Sequence, residues 1–361
     1  MLPHLDSFPL IFDKRPAYYL IHVTSKCNAE CSHCFYWENI RDGRNEKDTG
    51  LEEFEKISRH MGEVLVVNLC GAEAYLRSDL CEIAHFFAAN NHCRLITIPS
   101  NGYLTERIVS YAARLCRENP ETFFRFAFSI DGPKEAHDTI RGVPGLFDRV
   151  CETVRQIASL RKQFSNFVLI TSTVFSSETQ DHILDFLDWI KEHLPVEQTN
   201  VTFIRGDPLK LETLRVNPEI YQRLIEKIKR DAALQVEDRK ISAILPYSMF
   251  LNTLDTIVKA NQNPNQRVFK CFGGQKFLVI GRKGNVYPCE LLDERFMMGN
   301  LKEFDYDIQR LIRSPQAQAV VQWVSEKHCA CTWECAIQAS KIFDPLQWPA
   351  LALRTLKVTC S

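Results

Sequence analysis

Residues 23–37 read VTSKCNAECSHCFYW, and this stretch decides both the fold and the chemistry. Cys27, Cys31 and Cys34 form a C-x3-C-x2-C array that begins four residues beyond Tyr18–Val23, a β-branched and aromatic run that reads as a strand. Eight of the 14 cysteines fall into two clusters, of which this is the first, and in a reducing compartment such clusters point to metal. Soft sulfur suits iron–sulfur chemistry, and so short a loop can wrap a compact object, so these thiolates can hold three corners of a cubane [4Fe–4S] cluster. The fourth iron is left open to chelate the amino and carboxylate groups of a ligand. A zinc knuckle with His33 as fourth ligand competes with this reading, but such knuckles sit in small independent modules and not at the end of a barrel strand.

Outward from this loop, short apolar runs alternate with amphipathic ones. Strands are predicted over Tyr18–Val23, Val64–Leu69, Leu95–Ile98, Phe124–Ile130, Phe167–Val174 and Val201–Ile204. Between them Phe54, Ile57 and Met61, then Val150, Val154, Ile157 and Leu160, then Ile183, Leu187, Ile190 and Leu194 recur at helical spacing. Six strands alternating with helices imply right-handed parallel βαβ units, and hence an α/β fold built as an open (βα)6 partial TIM barrel. Reactive groups should then lie just after the strands.

Beyond about residue 232 the texture changes. Residues 233–268 loosen into charged, Asn, Gln and Pro residues, a bridging segment with room for one helix. Phe277–Ile280 and Val286–Tyr287 flank GRKGN and read as a β-hairpin, and two short helical patterns near 304–313 and 316–325 lead to HCACTWEC. Cys271, Cys289, Cys329, Cys331 and Cys335 form the second cluster, from which four thiols could enclose a cluster completely. Which four stays open, as does a structural zinc ribbon, although the seventeen residues between Cys271 and Cys289 make no close knuckle. Of the others, Cys81, Cys93, Cys116 and Cys151 read as small hydrophobes, Cys360 lies far from the cluster, and Cys70 precedes Gly71 at the predicted mouth, where a thiol could give a hydrogen atom to a substrate radical.

The first array and its aromatics resemble the radical S-adenosylmethionine (radical SAM) superfamily. LCGAEAYLRSDL, residues 69–80, is similar to that family's GGEP region: Gly71 and Glu73 are kept, while Ala72 and Ala74 stand for the second Gly and the Pro. By this resemblance Gly71 and Ala72 lie against the methionine end of SAM, and Glu73 accepts a hydrogen bond from its ammonium. PSNGY and FSIDGPKEAHDTIRG are similar to later family motifs, which brings Asn101, Ser129, Asp131 and Arg141 in as SAM contacts. Cys271, Gly284 and Cys289 resemble the opening of the auxiliary-cluster domains called SPASM and Twitch. The resemblance implies residues 1–232 as the barrel core, 233–268 as the bridge and 269–361 as the auxiliary-cluster domain, with an auxiliary [4Fe–4S] cluster beside the SAM-binding one.

The expected activity is reductive cleavage of SAM to a 5′-deoxyadenosyl radical that abstracts a substrate hydrogen, with an oxidative outcome such as dehydrogenation or a cross-link. A redox-neutral epimerisation or rearrangement is the alternative, and a non-enzymatic zinc or iron–sulfur protein a distant one. A flavodoxin or ferredoxin would supply electrons. The seventeen residues before the first strand are too few for a leader-peptide-binding domain, which leans the expectation toward a small molecule or a separately recognised peptide. Charge supports no polyanionic partner: 44 Lys and Arg against 45 Asp and Glu leave −1, so no summed field draws nucleic acid or an anionic membrane. Apolar runs such as Val64–Val67 fall far short of the roughly 18 residues of a membrane span, and the N-terminus lacks signal-peptide character, so a cytoplasmic protein is expected.

Overall fold

β1 (Tyr18–Thr24) is buried along its whole length, as a strand must be when both faces of its sheet are covered. The computed structural model describes residues 8–236, 244–263, 265–326 and 329–349. After β1 come β2 (Val66–Gly71), β3 (Leu95–Ser100), β4 (Phe123–Ser129), β5 (Phe167–Phe175) and β6 (Gln198–Phe203), each parallel to its predecessor. The helices are α1 (Phe8–Phe12) before β1, α2 (Trp37–Asp42) and α3 (Leu51–Met61) after it, and α4 (Leu80–Asn91), α5 (Thr105–Glu118), α6 (Lys134–Arg141), α7 (Leu146–Ser159) and α8 (Ile183–His193) in the later crossovers. The six predicted strands are present, each within two or three residues of its expected ends.

The sheet alternates in the period of two that a pleat requires. Tyr19, Ile21, Val67, Leu69, Ile96, Ile98, Phe124, Phe126 and Phe128 join one core with Phe54, Ile57 and Met61 of α3 and Val150, Val154 and Ile157 of α7. Each such side chain, fully buried, contributes on the order of 1.5–3 kcal/mol. Tyr18, Leu20, Val66, Cys70 and Leu95 face the other way, into the lumen, where Trp333, Phe277 and Val279 meet them.

β6 is followed by α9 (Pro218–Val236) and α10 (Ile244–Gln262), which fill most of the stretch expected as a bridge. The expected hairpin is present as β7 (Phe277–Ile280) and β8 (Asn285–Tyr287), joined by β9 (Gly299–Asn300). β7 also pairs in parallel with β1, so one nine-stranded sheet runs β6-β5-β4-β3-β2-β1-β7-β8-β9 without closing. This edge pairing is absent from the sequence reading, because a parallel partner more than 250 residues away leaves no local signal. α11 (Ile308–Leu311) and α12 (Pro315–Ser325) lead to α13 (Glu334–Ile342), which packs on α10. Among the described residues no helix is long and apolar enough to cross a membrane.

Candidate active site at the mouth and in the lumen

The loop of Cys27, Cys31 and Cys34 leaves β1 at the C-terminal end of the parallel sheet and is held there by backbone hydrogen bonds from three other loops. Glu73 N donates to Lys26 O at 2.9 Å, Glu30 N and Ser32 N donate to Arg141 O and Ile140 O at the end of α6, and Leu209 N donates to Cys34 O at 3.1 Å. Burial pushes the Cys27 thiol up to about 12 and Cys34 to about 11, with the neighbouring Cys31 adding to both. Arg141 Nη1 lies 3.5 Å from Cys31 Sγ.

One zinc ion would need its sulfur ligands about 3.8 Å apart, as follows from a Zn–S bond of about 2.3 Å. Among the described residues, however, the three-residue set with ligand atoms all within 4.8 Å of one another is His22, Cys70 and Glu290, not any set of the clustered cysteines. His33 does not complete a knuckle: its Nε2 faces Asp131 at 3.9 Å, and burial lowers its pKa to about 4. The spread of the thiols suits the corners of a larger inorganic core.

Glu73 is buried with no cationic partner among the described residues. Its carboxylate accepts from Asn101 N at 2.8 Å, Ser100 Oγ at 3.0 Å and Tyr75 N at 3.3 Å. Burial nevertheless pushes it up to about 7, because three neutral donors do not replace a countercharge. Gly71 has φ +107°, and a Cβ there would lie 2.8 Å from Thr24 O. Ala72 N donates to Thr24 O at 3.2 Å, so this segment is tied to the cysteine-bearing loop.

Three expected SAM contacts, Asp131, Arg141 and Asn101, engage other protein groups. Asp131 is fully buried; Arg141 Nε donates to its Oδ2 at 2.6 Å and Val174 N to its Oδ1 at 2.9 Å. Asn101 Nδ2 donates to Asn28 Oδ1 at 2.7 Å, and its Oδ1 accepts from Tyr103 N at 2.9 Å. As placed, Asp131, Arg141 and Asn101 tie the mouth loops to one another. Ser129 ends β4 beside Ser172 and stays partly exposed at the mouth.

In the second cluster the structure brings four thiols together. Burial raises Cys331 to about 12, and neighbouring Cys271 and Cys329 add to the shift; Cys331 and Cys271 act likewise on Cys289. Amide donors already point at these sulfurs, Gly273 N at Cys271 and Trp333 N at Cys331, both at 3.3 Å, and Arg267 Nη2 lies 2.8 Å from Cys329 Sγ. N–H···S contacts of this kind stabilise thiolates and, in iron–sulfur sites, help set the reduction potential. Cys335 stands apart on the lumen side, where Arg205, Glu290, Glu334 and Arg125 act on it and where Cys70 feels its field.

The lumen holds groups the sequence did not single out. Glu290, the residue after Cys289, lies 3.1 Å from His22 Nε2 and 3.6 Å from Arg205. Arg205 also pairs with Glu334 at 3.4 Å and lies over the rings of Phe35 and Trp333. Tyr36 meets His22 edge-on at 4.7 Å. The two cysteine loops are thereby joined through side chains that cross the lumen. A charged residue in the middle of FFRFAFS was a signal in the sequence; His22 and Glu290 offered none.

A partial barrel with a thiol loop at its mouth and a second thiol set below defines an iron–sulfur enzyme class, and comparisons give the same class. Residues 21–190 match the Radical SAM superfamily, and residues 271–336 match SPASM, an iron–sulfur cluster-binding domain. The AdoMet-dependent heme synthase of Methanosarcina barkeri is 24% identical over 314 residues, covering 81% of this chain and 84% of that protein. The subtilosin biosynthesis protein AlbA of Bacillus subtilis is 23% identical, covering 84% of this chain and 60% of AlbA. Among solved structures, AdoMet-bound anSMEcpe superposes with a TM-score of 0.61 at 16% identity over 95% of this chain and all of that one, and Streptococcus suis SuiB with 0.61 at 16% over 86% and 68%. The chain belongs to the radical SAM superfamily and carries a SPASM domain. Its cofactors are accordingly SAM, a [4Fe–4S] cluster and auxiliary iron–sulfur clustering in the SPASM domain.

Proposed function

We propose that this chain is an oxidative radical SAM enzyme whose substrate, a small metabolite or a peptide, is held in the barrel lumen and undergoes dehydrogenation or cross-linking. When bound, the mouth cluster and SAM supply a 5′-deoxyadenosyl radical that takes a substrate hydrogen, and the auxiliary cluster supplies an acceptor for the electron the substrate gives up. Cys27, Cys31 and Cys34 hold the first cluster, with Arg141 stabilising the Cys31 thiolate. Glu73 receives the SAM ammonium, which is the countercharge its buried carboxylate lacks, and Gly71, Ala72 and Ser129 line the same mouth. Asn101 and Asp131 act as positioning residues. Cys271, Cys289, Cys329 and Cys331 hold the auxiliary cluster. The barrel excludes water and orients the reacting bond. A flavodoxin or ferredoxin is the electron donor.

The single observation that carries the oxidative reading is the Cys289–Glu290 step, which joins an auxiliary thiol directly to a carboxylate standing against His22 in the lumen. Peptide substrates find support in relatives: SuiB is solved with its precursor peptide SuiA, and anSMEcpe with a Cp18Cys peptide. A second, redox-neutral reading rests on Cys70, whose thiol burial holds well above its ordinary value and therefore protonated, as a hydrogen-atom donor must be.

The test is anaerobic. Iron and sulfide are counted after reconstitution, and 5′-deoxyadenosine formed under dithionite is compared between the native chain and Cys27→Ala. Formation by the native chain alone supports the activity; two bound zinc ions and no 5′-deoxyadenosine overturn it. Reductant needed only to prime turnover supports the oxidative outcome, and loss of product with Cys70→Ala but not of SAM cleavage supports the neutral one.

A further inference from the structure

β4 carries a guanidinium that pairs with no carboxylate among the described residues. Arg125 sits in the middle of the strand, in register with Thr97 of β3 and through it with Asn68 of β2 and Leu20 of β1. Residues paired in register across parallel strands share a face, and Leu20 faces the lumen. The layer Asn68–Thr97–Arg125 therefore crosses the lumen floor beneath the layer of His22, Cys70 and Ala127. Phe124 and Phe126, the neighbours of Arg125 in the chain, point into the opposite, helix-covered core.

Among the described residues no carboxylate lies within 4 Å of Arg125, and no hydrogen bond from it is made; the groups that act on it are the Tyr18 phenol and the Cys335 thiol. Burial holds its guanidinium below the ordinary value, the direction expected of a cation without a partner. The two lumen carboxylates, Glu290 and Glu334, are committed to Arg205. Thr97 Oγ1 beside it is buried and also without a partner. A guanidinium largely withdrawn from water without a carboxylate, and a buried hydroxyl orphaned beside it, are both unfavourable until a ligand pairs them. Two such groups adjacent in one layer form a built recess for an anion.

We propose that Arg125, with Thr97 and Asn68, anchors a carboxylate of the substrate on the lumen floor. The proposal rests on the lumen being the substrate compartment of a radical SAM enzyme. A planar guanidinium fork matches a carboxylate bidentately, and one positive charge flanked by neutral hydroxyl and amide groups suits a single negative charge better than the doubled charge of a phosphate. Arg125 lies four residues below Ser129, about 13 Å at the rise of a parallel strand. The substrate therefore carries its carboxylate roughly that far from the bond presented at the mouth, and its reactive end is placed by its length.

The experiment uses the cluster-loaded, SAM-bound protein and reads binding, so that it answers even if SAM cleavage fails. Hexanoate, hexanamide and hexyl phosphate are titrated calorimetrically into the native chain, Arg125→Met, Arg125→Lys and Thr97→Val, each checked for full iron content. Hexanoate is expected to bind about tenfold or more tighter than hexanamide, as a charge-assisted pair requires. Arg125→Met abolishes that preference, Arg125→Lys keeps part of it and Thr97→Val reduces it. Equal binding of acid and amide, or a preference that survives Arg125→Met, overturns the proposal. Hexyl phosphate bound tighter than hexanoate overturns the carboxylate assignment, and if Arg125→Met fails to load iron, the Lys and Val variants decide.

Discussion

Arg141 and Asp131 form an ion pair buried at the mouth of the barrel, Nε to Oδ2 at 2.6 Å, and the same guanidinium reaches Cys31 Sγ at 3.5 Å. The pair thus links the end of β4, the end of α6 and the cysteine loop. Asp131→Asn should lower stability by about 3–5 kcal/mol, because the guanidinium stays buried without its charge partner. Burial alone would raise the Asp131 pKa, but Arg141, with His33 and His137, outweighs it and holds the carboxyl at about 2 against an ordinary 3.8. The contribution of a depressed carboxyl is complete above its unfolded value and is lost as pH falls toward 2. Anaerobic urea unfolding across that range should show the loss in the native chain and a flatter profile in the variant.

Glu73 gives the opposite sign. Its carboxyl is raised from 4.5 to about 7, so in the free protein the ionised form is disfavoured and the fold loses stability as pH climbs through that interval. A cationic ligand binds the ionised form, so SAM affinity should rise between about pH 6 and pH 7.5. Calorimetric titration should show this acid limb in the native chain and not in Glu73→Gln, which should also bind SAM at least about tenfold more weakly.

The two kinds of cysteine in the second cluster should separate by iron content. Cys331→Ser should lose about four irons per chain after reconstitution, whereas Cys335→Ser should keep them. Arg267→Met, which removes the donor to Cys329 Sγ, should shorten the lifetime of the auxiliary cluster in the presence of a chelator.

Gly71→Ala tests the close approach of β2 to β1. With φ at +107° and Thr24 O 2.8 Å from the new Cβ, the loop must move, at a cost of about 1–3 kcal/mol. Thermal unfolding should fall accordingly, and SAM binding should weaken with it, since the displaced segment donates to both Thr24 O and Lys26 O.

The strands and the main helix stripes were legible because their signals are local. Phe54, Ile57 and Met61 announce a buried helix face by spacing alone, and the alternation along FFRFAFS announces a strand with two unlike faces. The C-x3-C-x2-C loop was legible for the same reason: three thiols within eight residues are close whatever the rest of the chain does. Asp131 and Asn101 were read as SAM contacts from motif position; that Asp131 also pairs with Arg141 was not legible, because it depends on where α6 ends.

Local residue patterns were enough to specify a parallel α/β core, the mouth at which the first cysteine loop sits, and two groups of clustered thiols. It took the folded chain to show that β7 extends the barrel at β1, that Cys335 lies near Cys70 while four other cysteines gather, and that among the described residues Arg125 has no counter-ion while Arg205 has two. Periodicity and short-range spacing are properties of neighbouring residues, whereas register, edge pairing and charge compensation arise when segments hundreds of residues apart compete for the same buried space.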